Sequence, residues 1–158
     1  MKKLFLIPVL ALAACESPSL QGMFVPVAAP VVDVPEPTLD PTPPPPPPPT
    51  ARTVEQFDTT TAEDRAAAVA VVEPAGEASL GTTIATLGSP ADPGIWIKTP
   101  LVTELAMGRA EYGANGKTVN LELRPSGGAA GSGSQISLPA MRLLDIPLTA
   151  LAEVALFK

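Results

Sequence analysis

An unbroken run of prolines, Pro43 to Pro49, divides this 158-residue chain into two unequal parts. Proline has no backbone N–H and a fixed φ, so the run adopts an extended polyproline II conformation and fits no helix interior or central strand. Most of the 21 prolines fall between Ser17 and Thr50. We predict a stiff, disordered Pro-rich linker over residues 15–50 and a folded domain after it. The alternative is that the run is a ligand for a proline-recognising groove.

The N-terminus has a basic start, a short apolar stretch and then small residues that end at Cys15. The apolar stretch, Leu4 to Ala11, is too short to span a bilayer as a helix, so it indicates a leader and not a transmembrane segment. The segment from Leu12 to Cys15 resembles the lipobox of bacterial lipoproteins. That resemblance implies a signal peptide over residues 1–14 and a lipid anchor on Cys15, where several acyl chains give stable membrane attachment. The alternative is an ordinary secretory leader that leaves Cys15 as a free thiol.

The residue after the cysteine, Glu16, bears on the membrane to which such a protein is sorted. In lipoproteins of this type an Asp at that position tends to retain the protein at the inner membrane. Glu16 therefore favours the periplasmic face of the outer membrane. We expect the membrane, reached through the lipid on Cys15, to be one partner, and peptidoglycan or an envelope protein to be another.

The chain has no histidine, a single cysteine and a formal net charge of −6. Without histidine it lacks the commonest general base, the usual transition-metal ligand and the base of a Ser-His or Cys-His pair. We predict no metal and no cofactor. The acidic balance argues against nucleic acid as a partner, because phosphate binding needs a basic surface. One cysteine allows no intrachain disulfide, so the domain must depend on its apolar core.

Residues 51–79 are predicted to form a helical lead-in to the domain. Thr60 and Glu63 have the spacing of a capping box, and the alanine-rich stretch from Ala62 to Val72 favours a helix. A proline and a glycine shortly after that stretch predict the end of the helix.

Residues 80–158 contain short alternating segments separated by turns, which predicts a β-barrel-like domain. The expected strands are Thr82–Leu87, Ile95–Val102, Gly108–Tyr112, Lys117–Leu123 and Glu153–Phe157. Asn115-Gly116, between the third and the fourth, is the strongest short hairpin signal in the chain. The stretch from Arg124 to Ser134 is rich in Gly and Ser and predicts a mobile loop, and Pro139 suits the first turn of a short helix.

The order of these elements resembles that of a known domain. It runs from Lys98-Thr99-Pro100 through the hairpin and the glycine loop to Ile136-Ser137-Leu138 and a last strand. This is similar to the double-psi β-barrel domain of the rare-lipoprotein-A family, which is related to the expansin and barwin barrels. The match covers about 60 residues from Ile95 onward. It implies a mainly β fold, a small double-psi-like six-stranded β-barrel with one short helix, preceded by a small helix.

Active members of that family resemble lytic transglycosylases, which cut peptidoglycan glycan strands with a carboxylate acid/base in a groove. At the matching positions this chain has Pro125 and Ser137 in place of acids, and the family's histidine position falls near Ile97. Proline and serine cannot replace a carboxylate that transfers a proton at neutral pH. We therefore predict no catalytic residues and a non-catalytic envelope binding or structural module. A glycan-cleaving enzyme with displaced acids is the alternative.

Three carboxylates are the candidates for a displaced acid pair: Glu104, Glu111 and Glu122. Solvent-facing positions on a half-exposed sheet are the simpler interpretation of all three. Short lipoproteins of this kind sometimes carry the label galactarate dehydratase. A sugar-acid dehydratase would need a metal site and a larger catalytic body than this chain supplies.

A barrel without its acids can still present a groove beside the hairpin and the segment that opens the helix. The predicted ligand-binding residues there are Trp96, Lys98, Tyr112, Arg124 and Arg142. The aromatic rings offer a stacking surface to a sugar, and the cations can hold carboxylates of peptidoglycan stems. The alternative for Trp96 is a core anchor of the small barrel.

Overall fold

The computed structural model of the chain describes residues 43–71 and 76–158. The predicted signal peptide, Cys15 and the linker up to residue 42 lie outside these described residues. Within the described ranges there are three short helices, α1 (Val54–Phe57), α2 (Ala62–Val69) and α3 (Leu138–Leu143). None of these helices has the length and apolarity that crossing a bilayer requires.

Six strands in residues 76–158 close into a barrel with the order β1-β5-β2-β4-β3-β6. Their bounds are β1 (Ser79–Leu87), β2 (Trp96–Thr99), β3 (Ala106–Tyr112), β4 (Lys117–Pro125), β5 (Ser134–Ile136) and β6 (Ala152–Phe157). The predicted mainly β fold, a small six-stranded barrel with a short helix, is confirmed. Closure pairs every strand on both sides, which removes exposed sheet edges.

The strand pairings of the barrel are unchanged when β1, β2 and β3 are exchanged with β4, β5 and β6 respectively. The parallel pair β1–β5 corresponds to the parallel pair β4–β2, and the antiparallel pair β1–β6 corresponds to β4–β3. The residue register also corresponds between the two halves. Three pairs of the first half have counterparts in the second: Ala85–Ser134 corresponds to Leu123–Ile97, Thr86–Gln135 to Arg124–Lys98, and Ala85–Ala152 to Leu123–Ala106. The barrel therefore consists of two topologically equivalent halves.

The Lys98–Gln135 pair between β2 and β5 marks the approximate two-fold axis, because the exchange of halves maps this pair onto itself. The loops that leave β1 and β4 are related in the same way. Gly88 N donates to Ile136 O at 2.8 Å, and its counterpart Ser126 N donates to Thr99 O at 3.0 Å. Residues 88–95 and 126–133 are thus equivalent crossing loops.

The barrel interior is filled by apolar side chains that alternate along the strands, as in Val119, Leu121 and Leu123 of β4. Other fully buried side chains of this core come from the remaining strands and from α3: Ile97, Ala110, Ile136, Met141, Leu144, Val154 and Leu156. β3 approaches β6 so closely at Gly108 that a Cβ there would lie 2.4 Å from Phe157 O. Any side chain at this position would push the two strands apart.

The hairpin between β3 and β4 turns at the predicted Asn115-Gly116, but through four residues, Gly113 to Gly116. The amides of Asn115 and Gly116 both donate to Tyr112 O, at 3.2 and 2.9 Å, and Gly116 has φ of 70°. Glycine adopts this left-handed conformation without steric cost. The side chain of Asn115 donates to Leu144 O at 2.9 Å, which fastens the hairpin to the end of α3.

The start of β1 is held to the barrel by a partly buried ion pair. Arg109 Nε donates to Glu77 Oε1 at 2.9 Å, and the guanidinium carbon lies 4.2 Å from the ring centre of Phe157. The hydrogen bond to Glu77 is the main cause of a raised pKa of Arg109. Ala78 and Lys158 exchange backbone hydrogen bonds beside this pair, so both ends of the domain are fixed together.

The lead-in helix differs from the prediction in its cap and its end. Thr61 caps α2 and forms the capping box with Asp64, and the helix ends at Val69. Thr60, predicted as the cap, is buried, and its hydroxyl and carbonyl oxygens accept hydrogen bonds from Arg65 at 3.0 and 2.7 Å. The tertiary position of Thr60 therefore overrides its local capping signal.

The end of the proline run, residues 43–49, contacts the folded part of the chain. Pro44 and Pro47 are half-buried, whereas the prolines between and around them are exposed. A spacing of three residues is one turn of polyproline II, so one face of the segment lies against the domain. Thr59 Oγ1 donates to Pro45 O at 2.7 Å and holds the segment in place. Residues 43–49 of the predicted linker are therefore docked on the folded domain.

Candidate functional site

The side chain of Trp96 is fully buried, yet it points away from the barrel interior. Its neighbour Ile97 belongs to the core, and successive side chains of a strand point to opposite faces. The crossing loop 88–95 covers the ring: a Cβ on Gly88 would lie 2.6 Å from Trp96 Cη2, and Trp96 Nε1 donates to Asp92 O at 3.2 Å. With no exposed surface, Trp96 cannot stack on a sugar and instead anchors this loop.

Two predicted donors, Lys98 and Arg124, lie over the faces of the Trp96 ring, at 5.3 and 5.0 Å from its centre. Asp92 pairs with both cations, at 3.9 Å from Lys98 and 3.1 Å from Arg124. Arg124 also binds Glu122. The guanidinium is thus occupied by a ring and two carboxylates, so its main role is to hold the loop. The side chain of Lys98 is 39% exposed and its ion pair with Asp92 is long, which leaves its ammonium group accessible.

Tyr112 and Arg142 lie apart from this cluster. Tyr112 pairs with Lys117, whereas Trp96 pairs with Glu122, which is five positions further along β4. At about 3.3 Å per residue these positions are about 16 Å apart. Arg142 Nη1 donates to Asp58 Oδ2 at 2.9 Å and ties the lead-in to α3. Of the five predicted residues, the structure brings together Trp96, Lys98 and Arg124.

An open cleft of about 570 Å³ lies beside this cluster, between the outer face of the barrel and the loop 126–133. Its lining residues are Ile84, Thr86, Lys98, Ser126, Gly128, Gly131, Ser132, Gly133, Ser134, Gln135 and Leu151. Its volume falls in the range of small-molecule sites, roughly 300–1,000 Å³. Most of the polar groups that line it are neutral hydroxyls and one amide, and Lys98 is the one charged residue among the described residues that line it.

The floor of the cleft is a row of side chains across three strands. Thr86 of β1 pairs with Gln135 of β5, and Gln135 pairs with Lys98 of β2. Neighbouring strands are about 4.8 Å apart, so the hydroxyl, amide and ammonium groups follow one another at a spacing that suits several groups of one ligand. Two exposed apolar side chains, Ile84 and Leu151, form one rim.

Hydrogen bonds hold the polar side chains on the β1 side of the cleft in place. Thr83 Oγ1 and Ser134 Oγ are 2.8 Å apart, and Thr86 Oγ1 donates to Ser134 O at 3.4 Å. Such bonds hold the side chains in one rotamer and reduce the entropy that a ligand would otherwise have to remove. The side chain of Gln135 is exposed, so its amide can bond to a ligand.

Within residues 43–71 and 76–158, no Asp or Glu lines the cleft. Glu122 binds Arg124, Glu111 lies 3.4 Å from Arg109, and Glu104 lies 3.4 Å from Lys158. These three carboxylates are therefore dispersed in separate ion pairs and do not form a facing acid pair.

The three positions at which the predicted resemblance would require catalytic groups have structural roles. Ile97 is part of the core and Pro125 ends β4. Ser137 is buried as the N-cap of α3, where its hydroxyl accepts from Trp96 N at 3.0 Å and from Ala140 N at 3.4 Å. In this chain the segment Ile136-Ser137-Leu138 joins β5 to α3 and is hydrogen-bonded to Trp96 of β2, and it contains no carboxylate.

Sequence reasoning missed most of the cleft, namely Ile84, Thr86, Ser134, Gln135 and Leu151. The alternation of Thr82–Leu87 does place Ile84 and Thr86 on one face, which was the only signal available. The neighbours of that face come from β5 and from the loop before it, which are about 50 residues away in the chain.

Comparisons with protein-family models, with curated proteins and with solved structures found no match to this chain.

Proposed function

We propose that this protein is a non-catalytic lipoprotein of the bacterial envelope, anchored by lipid on Cys15 at the periplasmic face of the outer membrane, whose barrel binds peptidoglycan glycan. The observation that carries the proposal is the cleft, where the described residues provide hydroxyls, an amide and a lysine and no carboxylate. Hydroxyl and amide groups both donate and accept hydrogen bonds, which matches the hydroxyls and N-acetyl groups of a glycan. Lys98 can pair with carboxylates of the peptide stems.

Two further observations support this proposal. The crossed parallel pairs β1–β5 and β2–β4 agree with the resemblance to the double-psi barrels of the rare-lipoprotein-A family. The carboxylates Glu104, Glu111 and Glu122 are each engaged with a cation outside the cleft, which favours binding over hydrolysis.

Sedimentation with purified peptidoglycan sacculi tests the glycan contact, using the mature chain with Cys15→Ser so that no lipid contributes. We expect weak binding, with Kd on the order of 10⁻⁴ M, because the cleft is open and offers few anchors. Lys98→Ala should weaken sedimentation at low salt and lose its effect at high salt, as expected for an exposed charge. Lys117→Ala is the matched control, since it removes an equal charge at the hairpin end of the barrel.

Wild-type chain that never sediments with sacculi at any salt concentration would overturn the glycan proposal and leave an envelope protein as the better partner. Equal losses from Lys98→Ala and Lys117→Ala would place the contact elsewhere on the barrel.

Fractionation tests the anchor separately. The full chain should appear in the outer-membrane fraction, and Cys15→Ser should move it to the soluble periplasm. A full chain that is already soluble contradicts the lipid anchor.

A further inference from the structure

The cleft and the Trp96 cluster occupy equivalent places in the two halves of the barrel. The exchange of halves that maps Lys98 onto Gln135 also maps loop 88–95 onto loop 126–133. In the first half the loop covers the outer face of β2 and β4, and in the second half it covers the outer face of β5 and β1. The two loops therefore enclose the same kind of space on two sides of one axis.

In the first half that space is filled by a ring. The indole of Trp96 lies under the backbone of Gly88, with the cations of Lys98 and Arg124 over its faces. Asp92 accepts from the indole N–H and completes its polar contacts.

By the strand register, Gly133, the last residue of loop 126–133, has the position of Trp96, because the second loop reaches this position one residue earlier than the first. A Cβ on Gly133 would lie 3.2 Å from Ile84 O. Glycine supplies no ring, so the corresponding space is open, and it is the cleft. The side chains around the cleft also differ from those around the indole. Thr86 has the position that is equivalent to Arg124, and Gln135 has the position that is equivalent to Lys98.

We infer that the cleft is the unfilled counterpart of the Trp96 pocket and holds one six-membered sugar ring in place of the indole. It rests on the proposed glycan binding, and it adds that the cleft is the binding surface and that a single sugar ring is the unit bound there. An indole is held by cations over its π faces, and the two positions equivalent to those cations are a hydroxyl, Thr86, and an amide, Gln135, while Lys98 lines the cleft beside Gln135. These neutral groups suit the hydroxyls of a pyranose. Ile84, which replaces Glu122, suits the apolar face of its ring.

Amide spectra of the soluble chain with Cys15→Ser test this inference, with N,N′-diacetylchitobiose as the saccharide probe and indole-3-acetamide as the aromatic probe. The saccharide should shift the amide signals of Gly128, Gly131, Gly133 and Gln135, whereas the aromatic probe should not. Thr86→Trp should fill the cleft from its floor and abolish these shifts. Thr82→Trp is the control, since Thr82 is exposed on β1 and does not line the cleft.

Gln135→Ala provides a second variant that removes only an exposed side chain, and it should weaken saccharide binding about three- to tenfold, as expected for one hydrogen bond. Sedimentation with sacculi that persists in Thr86→Trp, with no cleft shift from the saccharide, would overturn the ring site and leave the glycan proposal standing. Absence of both sedimentation and shifts would overturn both. Shifts caused by the indole alone would overturn the choice of a sugar.

Discussion

Trp96→Ala should be among the most destabilising substitutions in this domain, although its side chain lies outside the barrel interior. The indole is fully buried between loop 88–95 and the sheet, and the substitution removes that entire ring. Truncation of a buried Trp costs about 3–5 kcal/mol of unfolding free energy. The two cations that lie over the ring each lose an interaction of about 0.5–1 kcal/mol.

We take about 4 kcal/mol as the expected loss, against a total stability of about 5–15 kcal/mol for a domain. For a domain of this size, each kcal/mol lowers Tm by about 4–8 °C, which gives a decrease of about 15–30 °C. Far-UV circular dichroism is the appropriate probe, because the chain has one Trp and the variant loses its fluorescence.

Leu151→Ala is the matched control, since it also truncates a large apolar side chain, but one that is 75% exposed. It should change stability by less than about 0.5 kcal/mol. A loss below about 1 kcal/mol for Trp96→Ala, or equal losses for the two variants, would refute the burial of the ring.

Three further predictions concern the rest of the chain. Arg109→Met should lower the unfolding free energy by about 1–3 kcal/mol in denaturant titrations, because it leaves the carboxylate of Glu77 without its partner. Since the pKa of Arg109 is raised, its charge is retained to strongly alkaline pH, and this loss should be the same at about pH 6 and pH 9. Thr59→Val should expose the docked proline segment, so that limited proteolysis removes residues 43–49 from the variant sooner than from the wild type; equal rates would contradict docking. Zymography with purified peptidoglycan should show no clearing; clearing that is lost on Glu122→Gln would show a displaced catalytic site.

The sequence predicted the barrel because its signals are local. Alternation in Lys117–Leu123, the Asn115-Gly116 turn and Pro139 near the start of α3 each depend on a few adjacent residues. Strand ends were less well defined: β1 begins at Ser79 and β4 continues to Pro125, since pairing with distant strands extends both.

The site could not be predicted in the same way. Local sequence around Trp96 does not show that loop 88–95 covers its ring, and local sequence around Arg142 does not show that the distant Asp58 binds it. The cleft forms where Thr86, Gln135 and Lys98 meet across three strands. The register that aligns them follows from closure of the whole barrel, and no short segment carries it.

The central claim is that the cleft is the ligand-binding surface of this barrel, and photo-crosslinking tests it most directly. One soluble chain would carry p-benzoylphenylalanine in place of Leu151 on the cleft rim, and another would carry it in place of Tyr112 at the hairpin end. After irradiation with sacculi and digestion of the glycan, mass spectrometry should find saccharide attached at position 151 and not at position 112. Attachment at position 112 alone would contradict the account.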